Sequence, residues 1–203
     1  MYKNKSTRQL VMLAIFSAII VLLSYTPLGY IPINPLLRLT IIHVPVIIGA
    51  IVLGPAAGGF LGFVFGVTSL LKNTFEPTVV SFVFSPFYSG GNFGSIVICF
   101  IPRILIGVFA GLVFKAMCGS SKTRLIAPAV AGITGSLTNT FLVMSGIYLF
   151  FGSEYAAARG QVLGSIYSFV GAVVFANGIP EAIVAMILAS AIAKPLIILN
   201  SRR

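Results

Sequence analysis

Apolar residues in this chain run in long unbroken blocks, separated by short stretches rich in Gly, Pro and polar residues. Blocks of that length suit helices that cross a bilayer, since a spanning helix needs about 20 apolar residues. The first block covers about Gln9 to Tyr25 and stops before Pro27. The second covers about Leu39 to Leu53, and Gly54-Pro55 turns the chain into a third from about Ala56 to Leu71. A fourth covers about Ile96 to Met117, a fifth about Leu125 to Phe151, and a sixth about Phe169 to Ile192. The pattern predicts an all-α integral membrane protein with six transmembrane helices, a single domain over residues 1–203. "TPLGYIPINPLLR", "KNTFEPTVVSFVFSPFYSGGNFGS" and "GSEYAAARGQ" read as loops, and residues 162–168 as loop with some helix.

Composition agrees with that reading. Of 203 residues 58% are hydrophobic and only 8% charged, and mean hydropathy is +1.10. A soluble chain carries about 25% charged residues, so this one must use lipid as its solvent. The basic N-terminus followed by an apolar block is similar to a secretory signal, but no small-residue cleavage site follows, and the block reads as a retained first span.

The net charge of +10 comes from 13 Lys+Arg against 3 acids. Nucleic-acid binding is excluded, because no basic cluster has the density that phosphate contacts require. The positive-inside rule accounts for the bias instead. Nine basic residues (Lys3, Lys5, Arg8, Lys115, Lys122, Arg124, Lys194, Arg202, Arg203) fall on one face and three (Arg38, Lys72, Arg159) on the other. Both termini are therefore expected in the cytoplasm. The longer loops would face outside, and that face is the one expected to hold a site. Cys99 and Cys118 lie on one helix roughly 28 Å apart, too far to pair. No metal or cofactor site is expected.

A few polar residues break the apolar blocks. Arg103 follows Pro102 in the fourth span, and Glu181 follows Pro180 in the sixth. Asn177 lies one turn before Glu181, Asn139 is mid-way along the fifth span, and His43 is near the start of the second. A charge at the bilayer centre costs about 2.5–3.5 kcal/mol or more. Each must face the bundle interior. Two readings stand open: an Arg103–Glu181 bridge that orients two helices, or two groups lining a cavity. Pro102 and Pro180 each remove a backbone N–H and free a carbonyl one turn earlier. Freed carbonyls at membrane depth are tolerated inside protein or around a cavity. Tyr88, Asn92 and Phe93 in the long outer loop would cap a ligand or sit as interfacial residues.

Small residues recur at four-residue spacing: Gly58, Gly62 and Gly66; Gly107 and Gly111; Ala185, Ala189 and Ala193; and Ala14 with Ala18. Such stripes let helix backbones approach closely. The first three sets read as packing within the chain. Ala14 and Ala18 admit a second reading, a groove for a helix of another subunit. The chain has no P-loop, no HExxH and no GxSxG, and its one histidine has no nucleophile beside it. A non-enzymatic subunit that captures a solute and borrows its power fits this inventory, with a stand-alone small-solute transporter as the other possibility.

These residues also carry a resemblance. Ala14-xxx-Ala18, "TIIHVPVIIGAIVLGPAAGGFLGFVFG" (Thr40 to Gly66), "IPRILIG" (Ile101 to Gly107), "GSLTNTFLVMSGIYLF" (Gly135 to Phe150) and "NGIPEAIVA" (Asn177 to Ala185) resemble the substrate-binding subunits of energy-coupling factor vitamin transporters, over nearly the whole chain. The branch that binds pantothenate is the nearest in pattern. The resemblance implies six helices in the cell membrane of a prokaryote and one vitamin beneath the outer loops. It also implies a transmembrane T subunit docking on Ala14 and Ala18, with two cytoplasmic ATPase subunits supplying power while the subunit topples in the membrane. Arg103 would meet the pantothenate carboxylate, and Asn139, Asn177 and Tyr148 its hydroxyls and amide. Glu181, His43, Tyr88 and Asn92 complete the expected site. Hydroxymethylpyrimidine and cobalamin are the alternative ligands on the same scaffold.

Overall fold

The computed structural model describes residues 3–34, 37–119, 123–158, 160 and 166–201. Lys122, Arg159, Arg202 and Arg203, four of the residues in the charge-bias argument, lie outside them. Helix α1 (Lys3–Tyr25) leads through a short 3₁₀ turn into an antiparallel hairpin, β1 (Tyr30–Asn34) and β2 (Leu37–Thr40). Then come α2 (His43–Leu53), α3 (Pro55–Phe75), α4 (Phe93–Met117), α5 (Ala127–Ala158), α6 (Ile166–Val173), a π-helical turn at Val174–Gly178, and α7 (Ile179–Ser201). Five of the helical segments are long and apolar enough to cross a membrane, and α2 is the shorter sixth.

Helix α2 has only 11 residues, about 16 Å of rise, roughly half a bilayer. It tolerates this because protein encloses nearly all of it: every residue from His43 to Ile51 is buried. It packs against α1, α3, α4, α5 and α7, and Ile42, Val46, Ile47 and Ile48 fill the core with Ile20, Leu61, Phe65 and Ile106. The hairpin precedes it in the chain. The "TPLGYIPINPLLR" segment is therefore not a plain loop. Tyr30 pairs with Thr40 and Ile31 with Leu39, and a register shift follows between Pro32 and Asn34. Pro32 and Pro35 disguise that strand in the sequence, because proline is confined to edges and bulges of sheets.

Gly54 is the hinge between α2 and α3. Its φ of +99° lies in the left-handed region, open to glycine at little cost, and Pro55 then starts α3 at a position where the missing N–H is harmless. Helices α3 and α4 touch backbone to backbone. A Cβ on Gly58 would lie 2.7 Å from Gly107 O, and one on Gly62 would collide with Arg103 O. Gly132 abuts Ala185 in the same way where α5 meets α7, and Ala185, Ala189 and Ala193 are fully buried. The three stripes assigned to internal packing do pack internally.

The fifth span breaks where expected. Phe151 has non-helical dihedrals (φ −143°, ψ 21°). The chain resumes helix to Ala158 beyond it, so "GSEYAAAR" is not all loop. The sixth crossing differs more: α6 starts at Ile166 and the π turn interrupts it just before Pro180. Proline crowds the turn that precedes it, and a wider turn relieves that crowding.

Because α3 and α4 touch at Gly62, Gly62→Val is expected to destabilise the chain by about 1–3 kcal/mol through overpacking. It will also weaken ligand binding, because the added methyls push on the peptide that carries Arg103. Thermal unfolding with and without ligand checks both effects. Unaltered melting would mean that the helices separate freely.

Candidate functional site

A cavity of about 790 Å³ opens at the end of the bundle opposite the termini. It is walled by the end of α1, the hairpin, α3, Val80 and Phe84 of the following segment, α4, α5 and the π turn with α7. Arg103, Asn139, Asn177 and Glu181 all line it. Four polar residues from three separate spans thus converge, as the cost of polar atoms in lipid requires.

Arg103 is 6% exposed. Its Nη1 donates 2.6 Å to the carbonyl of Ile98. That carbonyl is the one Pro102 leaves unpaired, since a residue at 102 would ordinarily donate to it. The proline frees an acceptor and the next residue's side chain takes it. The guanidinium also lies 5.0 Å from the Phe84 ring centroid and 5.5 Å from that of Phe65. Its Nε has no partner.

Glu181, 7% exposed, accepts the backbone N–H of Thr40 at 2.7 Å, which ties β2 to α7. The Arg103–Glu181 bridge is not formed: among the described residues the one ion pair is Lys72–Glu76, at 4.0 Å. Each charge instead uses backbone groups of its own surroundings. The side-chain oxygens of Asn139 and Asn177 are buried without a partner.

Several residues that the sequence reading passed over as site residues also line the cavity, among them Lys72, Thr40 and Tyr30. Lys72 donates to Ser24 O at 2.7 Å and stands 4.7 Å from the Tyr30 ring centroid. Thr40 and Tyr30 come from the hairpin. Burial raises the Tyr30 hydroxyl above its ordinary pKa, and the charge of Arg103 pulls it part of the way back.

Four expected site residues stand elsewhere. His43 is 1% exposed in the core, both ring nitrogens unpartnered; a span buried on every side gives no sequence sign of which face looks into a cavity. Tyr148 lies one turn beyond Met144, the last α5 residue on the wall. At that level Phe82, Val83, Ile147 and Phe151 close the space with a second apolar cluster. Asn92 is the N-cap of α4, accepting Gly94 N–H at 2.7 Å while Ser95 Oγ accepts its own N–H. Tyr88 sits on the outer surface of the same segment, 37% exposed.

The arrangement is a membrane-embedded binding pocket. A buried cation without a counter-ion suits an anionic group. Two orphan amide oxygens and a carboxylate suit hydroxyl or N–H donors. Such a pocket in a helical bundle defines a membrane binding protein for a small polar solute, and the chain belongs to the family of ECF transporter substrate-specific components, whose model matches residues 8–193. It is accordingly a substrate-binding transporter component of a prokaryotic membrane and not an enzyme. The pantothenic acid transporter PanT of Lactococcus lactis subsp. cremoris (strain MG1363) is 39% identical over 196 residues, 94% of each chain. The pantothenate transporter PanT of Leuconostoc mesenteroides is 30% identical over 211 residues, 98% of this chain and 97% of that one. A solved structure of ThiT from Listeria monocytogenes shares the fold, with a TM-score of 0.63 at 21% identity, covering 95% of this chain and 99% of that chain.

Proposed function

We propose that this chain captures pantothenate for import. The observation that carries the reading is Arg103: a buried guanidinium on the cavity wall with no acidic partner among the described residues. Leaving a charge uncompensated in the interior costs several kcal/mol, and a ligand carboxylate removes that cost. Pantothenate offers one carboxylate, an amide N–H and two hydroxyls. Arg103 takes the carboxylate, and Asn139, Asn177 and Glu181 take the donors. A neutral hydroxymethylpyrimidine would leave Arg103 uncompensated, and for that reason it is the weaker candidate.

The chain has no ATPase motif, so the power comes from partners: a transmembrane T subunit and two ATPase subunits, as the family implies. Ala14 and Ala18, both exposed on α1, form the docking face for the T subunit. Both termini lie in the cytoplasm in this reading, which puts the cavity on the outer side.

Equilibrium binding of labelled pantothenate to the whole chain in detergent, with other vitamins as competitors, tests the proposal. Saturable binding displaced by pantothenate alone is expected. Displacement by another vitamin, with no pantothenate binding, would refute the ligand and keep the class.

A further inference from the structure

Residues 76–92 join α3 to α4 on the cavity side, and after Glu76 at the start the remaining stretch, 77–92, contains no charged side chain. A water-facing connection of that length without a charge is unusual. Two of its large apolar groups point outward: Val79 is 70% exposed and Phe87 79%, flanked by Phe75 at 76% and Phe93 at 74%.

These groups have no route inward. Ser81 Oγ donates to Asn73 Oδ1 at 2.9 Å, Thr74 and Ser85 hydroxyls pair at 2.7 Å, and Ser95 Oγ donates to Phe82 O at 2.6 Å. Phe82 and Val83 already fill the inward slots against Ile98, Ile147 and Phe151. The segment is pinned with Val79 and Phe87 facing out.

The outward face continues the exposed apolar stripes of two helices long and apolar enough to cross a membrane. On α3 the exposed Phe60, Phe63 and Leu71 run at helical spacing to Phe75, and on α4 the exposed Ile96 and Ile101 lead back to Phe93. Phe75 and Phe93 are where those stripes end and the connection begins.

We propose that residues 77–92 are a membrane-facing shoulder, with Val79 and Phe87 seated in the lipid of the cavity-side leaflet and not in water. The physical cause is continuity: exposed apolar area is favourable only where lipid covers it, and the Thr78, Ser81 and Ser85 hydroxyls, bonded within the protein, lower the cost of bringing the segment against lipid. The proposal rests on the chain being membrane-embedded and is independent of the ligand.

The chain contains no tryptophan, so one substitution gives a single reporter. Phe87→Trp and, separately, Val79→Trp are placed in the whole chain in phosphatidylcholine vesicles. Phe63→Trp, on the lipid-facing side of α3, serves as reference. The expected result is loss of most of the emission with lipids brominated near the headgroup, comparable to the reference, and little loss with aqueous iodide. Iodide quenching without bromolipid quenching overturns the proposal. Protection from both quenchers overturns it too, because protein would then be the cover.

Discussion

Arg103→Met is expected to weaken pantothenate binding by at least about 30-fold while leaving the empty protein as stable as before, or more so. The two effects have one cause. Truncating one partner of a buried charge pair costs about 2–5 kcal/mol, and each 1.4 kcal/mol is about tenfold in affinity. In the empty protein the same charge is a burden, because no acid pairs with it among the described residues. Methionine removes that burden and still fills the space beside Phe65 and Phe84. Against this, Ile98 O loses its donor, worth about 1–3 kcal/mol, so stability will hold or rise and not collapse. Binding titration with thermal melting of the empty chain separates the two. Arg103→Lys keeps the charge and loses the planar fork, and should fall between. A methionine variant that melts early and binds normally would make Arg103 a structural group.

Placing leucine at Ala14 or Ala18 is expected to abolish uptake and leave ligand binding intact. Helix α1 has two faces. Phe16, Ile20 and Ser24 are buried toward the core, whereas Ala14 and Ala18 stand exposed among Leu10, Val11, Ile15 and Leu22. Two alanines one turn apart, about 6 Å along the axis, make a shallow notch in a wall of larger side chains. Filling it changes only the outward surface. Transport in vesicles containing the coupling subunits, alongside binding by the isolated chain, reads out both halves. Loss of binding in the isolated subunit would place these alanines in the fold and not at the interface.

The parts of the candidate site legible in the sequence were those where lipid makes polarity conspicuous. Arg103, Asn139, Asn177 and Glu181 stand out because each interrupts an apolar run, and all four line the cavity. The same contrast misleads for His43, where it cannot tell a cavity wall from a dry core. Lys72 escaped because a cation at the end of a span reads as an interfacial charge, yet here it turns back over Tyr30. Tyr30 and Thr40 escaped because strand pairing across a proline-rich turn is a long-range fact. Helix ends were legible at Gly54-Pro55 and Phe151, where local chemistry decides them. The π turn at Val174–Gly178 was not, because no single residue type announces it.

Pro102 and Arg103 also act as a pair. With an ordinary residue at 102, a backbone N–H would compete with Arg103 for the Ile98 carbonyl. The proline leaves that carbonyl to the guanidinium alone, so a backbone irregularity sets where on the cavity wall the cation is held.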